Sequence, residues 1–163
     1  MRKEKTNRFN GLSVHIMALH SYSRCWLHLV WGTLKREGMF TKTAAVEVSK
    51  YLTNYANTKG IYMKVNFVNT DHVHMLIDLP TDQCIEDVVQ LFKGSSSHWI
   101  NEGTLVSGRF AWGRGYGAFS VSESMVGEVA NYIANQEEHH WGRSFDDELK
   151  LFIERHGLKW HEC

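Results

Sequence analysis

The order of strand-like and helix-like segments is the feature that most restricts how this chain can fold. Four segments rich in aromatic and β-branched residues predict strands, at 26–34, 62–68, 72–79 and 119–121. Apolar residues at helical spacing predict helices at 41–59 and from about 82 to 99, and two more helices after the last strand, the second opened by Ser144. The order β-α-β-β-α-β predicts an α+β fold. We expect a ferredoxin-like (split βαβ) antiparallel sheet with helices on one face and a C-terminal helical extension.

Composition narrows the class of protein further. The chain has 163 residues, of which 43% are hydrophobic, enough for one domain with a single core. We predict a disordered extension at 1–16 and one domain at 17–163. No apolar run is long enough to span a bilayer and no signal-peptide pattern is present, so the prediction is a cytoplasmic protein without a membrane partner. The formal net charge of zero argues mildly against a general nucleic-acid-binding module.

Two histidines share one face of the third predicted strand. His72 and His74 are two residues apart, so both side chains leave the strand on the same side, about 7 Å apart at the backbone. Two imidazoles can converge on one metal ion from such positions. The pattern alone is weak, because two ordinary histidines on a half-exposed strand are a common alternative.

A tyrosine and a glutamine share one face of the third predicted helix, which we expect to extend to His139. Tyr132 and Gln136 are four residues apart, about 6 Å along the axis, beside the apolar stripe of Val126, Val129 and Ile133. In isolation, a tyrosine in that position is usually a core-edge residue with a solvated hydroxyl.

Four segments taken together are more specific than either pair. They are DHVHMLI at 71–77, LFKGSSS at 91–97, WGRGYG at 112–117 and YIANQEEHH at 132–140. In this order they closely resemble the single-tyrosine HUH transposases of small bacterial insertion sequences, the TnpA-like proteins that include the repeat-associated tyrosine transposases. HUH stands for histidine, hydrophobic residue, histidine. The resemblance extends from about Tyr22 to His156.

The resemblance implies a role for each matching residue. His72 and His74 match two metal ligands, Gln136 matches a third, and Tyr132 matches the nucleophile. It also implies a DNA transposase that cleaves and rejoins single-stranded DNA near hairpins through a 5′-phosphotyrosine intermediate. The implied cofactor is Mg²⁺ or Mn²⁺, and the implied assembly is a homodimer. No nucleotide cofactor is expected, because the ester bond is exchanged rather than hydrolysed and the chain lacks a phosphate-binding loop motif.

Basic and aromatic side chains in three segments are candidates for DNA contact. The cationic candidates for backbone phosphates are Lys35, Arg36, Lys93, Arg109 and Arg114. Trp112 and Tyr116 are candidates for stacking on unpaired bases. Ordinary surface cations and packed aromatic rings are the alternatives. The base that accepts the tyrosine proton is left open, with His139 as one candidate.

Three other functions remain open from the sequence. A domesticated relative would bind or process repetitive DNA hairpins without moving itself, and its sequence would look the same. A non-enzymatic nucleic-acid module on this fold would be expected to be basic, which fits poorly here. A metal phosphoesterase that activates water would use the histidines but would not need Tyr132.

Overall fold

A computed structural model describes residues 22–136 and 144–160, and it has the predicted α+β architecture. Four strands form one antiparallel sheet in the order β2-β3-β1-β4. The elements are β1 (Trp26–Gly32), α1 (Lys42–Thr58), β2 (Tyr62–Val68), β3 (His72–Asp78), α2 (Ile85–Glu102), β4 (Gly117–Val121), α3 (Val126–Ala134) and α4 (Phe145–Arg155). Short 3-10 turns occupy Leu34–Arg36 and Glu123–Met125. The ferredoxin-like prediction is confirmed, whereas the extension predicted at 1–16 lies outside the described residues.

The two central strands are buried on both faces. All seven residues of β1 are buried, because helices cover both sides of the sheet. The crossover helices α1 and α2 pack on one face, where Leu29 and Met75 belong to the main core. The C-terminal helices α3 and α4 pack on the other face, against side chains such as Val30 and Leu76. The residues that alternate with the main core along β1 and β3 are therefore enclosed by the C-terminal extension.

The helix predicted to continue to His139 is shorter than expected. Helix α3 ends at Ala134, and the N–H of Asn135 bonds to the Asn131 carbonyl oxygen. The chain leaves α3 between Tyr132 and Gln136, yet Gln136 is fully buried. His139 lies outside the described residues. None of the helices in the described ranges combines the length and the apolarity that crossing a membrane requires.

Helix α1 gives a test of local stability on the sheet face opposite the C-terminal helices. Thr41 is the N-cap of α1, and its hydroxyl oxygen accepts a hydrogen bond from the Ala44 backbone N–H. We expect Thr41→Ala to lower the free energy of unfolding by about 1 kcal/mol, because that N–H loses its partner. Urea unfolding measures the change. Thr43→Ala, an exposed position inside the same helix, is the control and is expected to be neutral or slightly stabilising. Equal effects of the two substitutions would contradict the capping role.

Candidate active site

The histidine pair lies on the sheet face that the C-terminal helices cover. In the register of β1 and β3, His74 is opposite Val30 and His72 is opposite Gly32. Both histidines are almost completely buried, with 1% of His72 and 0% of His74 exposed. The predicted common face is therefore correct, but the side chains lie in an enclosed site and not on a half-exposed strand. Their ring centroids are 5.0 Å apart.

Each histidine has a partner at its Nδ1 atom. His72 Nδ1 lies 2.6 Å from Asp71 Oδ1, and His74 Nδ1 lies 3.0 Å from His28 Nε2. Burial lowers the pKa of His28 well below its ordinary value, and His74 and His156 lower it further, so His28 is neutral at pH 7. When Asp71 and neutral His28 both accept, each Nδ1 carries the proton. Nε2 of each ring then presents the lone pair that a metal ion requires.

Tyr132 lies beside this pair on α3. Its ring centroid is 6.2 Å from that of His74 and 6.3 Å from that of His28, and it is half-buried. Phe152 of α4 meets the same ring edge-on at 5.8 Å. The fold thus brings the predicted nucleophile next to the predicted metal ligands, within a single chain.

Gln136 is joined to the site through an acidic residue of α4. Its amide Nε2 donates a hydrogen bond to Glu148 Oε1 at 3.0 Å. The other Glu148 oxygen, Oε2, lies 3.6 Å from His74 Nε2. Burial raises the pKa of the Glu148 carboxyl to about 7; His72 acts in the opposite direction and Asp71 raises the pKa further. Sequence reasoning did not single out Glu148.

The N-terminal end of α4 is held against the histidines by two further contacts. The Phe145 ring stacks on His72 with centroids 4.3 Å apart and an interplanar angle of 18°. The Arg36 guanidinium lies 4.4 Å from the centre of the Phe145 ring and forms an ion pair with Asp146 at 3.0 Å. It also lies over Gly32, where a side chain would collide with it. Arg36 therefore places a positive charge beside the strand position opposite His72.

The donor set fits a divalent metal ion. Donor atoms of His72, His74 and Glu148 all lie within 4.8 Å of one another. Gln136 Oε1 and Glu148 Oε2 are buried and have no hydrogen-bond partner among the described residues. Buried oxygens of this kind are costly unless something binds them, and amide and carboxylate oxygens are metal ligands. Imidazole nitrogens together with such oxygens form a ligand set for divalent metal ions.

The predicted DNA-contact residues fall into two groups. Lys35, Arg36, Arg109 and Arg114 are exposed. Lys93 is half-buried, and its ammonium donates to the carbonyl oxygens of Arg114 and Gly115 at 3.1 Å each. Burial lowers the pKa of Lys93, and Arg36 lowers it further. Lys93 thus links α2 to the glycine-rich segment at 112–117. Its position in the sequence did not indicate this structural role.

The two aromatic candidates for base stacking also differ. Trp112 is buried against Trp31 and Phe110, and its indole N–H donates to Ser96 Oγ at 2.9 Å. Its ring is part of the core, so the stacking interpretation is wrong for Trp112. Tyr116 is 43% exposed and remains a candidate.

Sequence signals for the residues that were missed are weak but present. His28 lies in the first predicted strand, and its contact with His74 depends on the pairing of β1 with β3. Glu148 lies on the same helical face as Phe145, Leu149 and Phe152. An acidic residue within an apolar helical stripe was the available signal.

Comparison with known proteins first defines a class. Residues 21–136 match the sequence profile of the family described as "Transposase IS200 like", which assigns the chain to the transposases, enzymes that cut and join DNA. The chain belongs to the IS200-like transposase family. The ISDra2 transposase TnpA of Deinococcus radiodurans is 26% identical over 116 residues, which are 68% of this chain and 83% of that protein. The transposase for insertion sequence element IS200 of Salmonella typhimurium is 26% identical over 124 residues, with coverages of 73% and 81%.

Solved structures share the fold. The crystal structure of a Deinococcus radiodurans R1 protein assigned as a transposase superposes with a TM-score of 0.58 at 24% identity, covering 74% of this chain and 96% of that chain. A REP-associated tyrosine transposase bound to a REP hairpin superposes with a TM-score of 0.55 at 13% identity, covering 90% and 93%. These similarities confirm the α+β architecture.

Proposed function

We propose that this chain cleaves and rejoins single-stranded DNA by metal-assisted transesterification, with Tyr132 as the nucleophile. The observation that carries the proposal is the position of the Tyr132 ring 6.2 Å from His74 in a member of a transposase family. A water-activating phosphoesterase would not need a tyrosine beside the histidine pair. The named relatives are transposases, which favours transposition over a domesticated role.

The chemistry exchanges one phosphate ester for another. The Tyr132 hydroxyl loses its proton to a base, and its oxygen attacks the phosphorus. The bond between the phosphorus and the 3′ oxygen breaks, and the 3′ oxygen takes up a proton and leaves as a hydroxyl. The products are a 5′-phosphotyrosine link and a free 3′ end. Because the number of ester bonds is unchanged, the reverse reaction can rejoin a strand without ATP.

His72, His74 and Gln136 are proposed to hold Mg²⁺ or Mn²⁺. When bound, such an ion acts as a Lewis acid on a phosphate oxygen and offsets the charge that develops during attack. The protein contributes the orientation, because Asp71 and His28 contact Nδ1 of the two imidazoles and so leave each Nε2 available to the ion. The half-buried Tyr132 lies against Phe152, which excludes water from one side of its ring.

The proposed substrate is single-stranded DNA that carries a hairpin. Support comes from the structural relative whose structure contains a REP hairpin. Exposed Lys35, Arg36, Arg109 and Arg114 would bind backbone phosphates, with Lys93 contributing its remaining donor. The homodimer remains a prediction. Tyr132 and the histidine pair lie together within one chain, and this proximity does not test whether a second chain is present.

The DNA-contact proposal predicts a change in salt dependence. Arg109→Ala and Arg114→Ala are each expected to weaken hairpin DNA binding and to reduce the slope of log affinity against log salt by about 0.7 per lost phosphate contact. Fluorescence anisotropy at several salt concentrations measures the slope. Lys50→Ala, on α1 across the sheet from the site, is the control and should leave it unchanged. Unaltered slopes in both arginine variants would remove these residues from the interface.

The test of the function itself is covalent capture. Purified protein is mixed with 5′- and 3′-labelled hairpin DNA from the flanks of its gene, with Mn²⁺ or Mg²⁺, and run on a denaturing protein gel. The proposal predicts a labelled protein band with the 3′-labelled DNA only, because the protein becomes joined to the 5′ end of the fragment downstream of the cut. Cleavage without a protein band would instead support hydrolysis by water.

A further inference from the structure

Glu148 occupies a position where a carboxylate is costly. It lies on the face of α4 that packs on the sheet, in the same helical stripe as Phe145 and Leu149, and it is 9% exposed. Burying a carboxylate without compensation costs several kcal/mol, so buried acids are normally paired or bound to metal ions. The contacts of its two oxygens show which compensation this site offers.

The two oxygens of Glu148 have different surroundings. Oε1 accepts the hydrogen bond from the amide of Gln136, which orients the carboxylate. Oε2 has no hydrogen-bond partner among the described residues and lies 3.6 Å from His74 Nε2. That separation is too long for a hydrogen bond, so a shared proton does not bridge the two atoms.

The gap between Oε2 and His74 Nε2 has the size that a metal ion fills. With metal–ligand bonds of about 2.1 Å, ligand atoms around one ion lie about 3 to 4.2 Å apart. The donor atoms of His72, His74 and Glu148 are all within 4.8 Å of one another, so only a small contraction is needed. Two imidazoles and one carboxylate are a known ligand set for divalent transition ions.

We propose that Glu148 is a direct ligand of the metal ion held by His72 and His74, so that α4 of the same chain closes the metal site. The proposal rests on the metal site of the proposed function and adds a negatively charged ligand from the C-terminal extension. It also gives the hydrogen bond from Gln136 a purpose, since that bond directs the second carboxylate oxygen toward His74.

The test measures Mn²⁺ binding to the full-length protein, which does not depend on DNA cleavage. Titration followed by electron paramagnetic resonance reports free Mn²⁺ and gives the Kd. We expect Glu148→Gln, which keeps the size of the side chain but not its charge, to raise the Kd at least tenfold. Glu154→Gln, on an exposed part of the same helix, is the matched control and is expected to change the Kd less than twofold. Circular dichroism establishes that each variant is folded.

If Glu148 only oriented Gln136, the Kd values for Mn²⁺ of the single and double variants would follow a different pattern. In a Gln136→Ala background, a direct ligand still loses its contribution, so adding Glu148→Gln again raises the Kd about tenfold or more. If Glu148 acted only through Gln136, the second substitution would cause no further loss. Hydrogen exchange gives an independent readout, because Mn²⁺ is expected to slow the amides of Phe145–Arg155 in the wild type but not in Glu148→Gln.

The outcomes separate this proposal from the proposed function. A wild-type protein that binds Mn²⁺, loses binding in His72→Ala and retains it unchanged in Glu148→Gln overturns the role of Glu148 alone. A wild-type protein that binds no Mn²⁺ overturns both. Weakened binding in Glu148→Gln in both backgrounds, with α4 protected only in the wild type, supports Glu148 as a ligand.

Discussion

Replacing Tyr132 with phenylalanine is expected to abolish the covalent protein–DNA adduct and to slow strand cleavage by at least about 10³-fold. The substitution removes only the hydroxyl oxygen that attacks phosphorus. The aromatic ring would keep its contacts with His74 and Phe152, so folding and Mn²⁺ binding should be retained. Rates of cleavage of labelled hairpin DNA under single-turnover conditions measure the effect.

The control for Tyr132 is another tyrosine, which lies on the same face of the sheet and is exposed at the protein surface. Tyr62 on β2 is 56% exposed and meets Trp26 edge-on, so Tyr62→Phe also removes one hydroxyl. We expect it to cleave at the wild-type rate. If Tyr132→Phe cleaved DNA within a fewfold of wild type, water or another side chain would be the nucleophile.

Loss of either histidine of the pair is expected to have the second large effect. His72→Ala and His74→Ala each remove one proposed ligand, and we expect the cleavage rate to fall by about 10³-fold. The reason is that a Lewis acid stabilises the transition state by several kcal/mol. A chelator should reduce wild-type cleavage to the same level, and added Mn²⁺ should restore it in the wild type only. Cleavage rates and Mn²⁺ affinity are measured on the same samples.

His98 supplies the matched control for this pair. Its side chain on α2 is 75% exposed, and His98→Ala should leave both cleavage and Mn²⁺ affinity unchanged. Because His74 is completely buried, thermal unfolding establishes whether His74→Ala remains folded. A folded His72→Ala variant that cleaves at the wild-type rate and ignores the chelator would refute metal-assisted catalysis.

Local sequence patterns were sufficient to predict most of the fold. Strand propensity and helical spacing are properties of neighbouring residues, and so the order of β1 to β4 and the position of α1 follow from the sequence. The same reasoning put His72 and His74 on one face of β3, which the structure confirms. The end of α3 was predicted less well, because the helical pattern continues past Ala134.

The parts of the site that the sequence did not predict depend on long-range packing. The contact between His28 and His74 depends on the register of β1 with β3, 46 residues apart in sequence. Glu148 reaches His74 only because α4 packs on the sheet face opposite α1 and α2. Lys93 was predicted to contact DNA, but the carbonyl oxygens that it contacts belong to a segment more than twenty residues away.

The most direct test of the central claim is to locate the protein end of the covalent link. The wild-type protein is reacted with hairpin DNA and Mn²⁺, digested with protease and nuclease, and the nucleotide-bearing peptide is sequenced by mass spectrometry. Our account predicts one modified residue, Tyr132, carrying a 5′-linked nucleotide through its phenolic oxygen. A nucleotide on any other residue, or cleaved DNA with a free 5′-phosphate and no modified peptide, would contradict it.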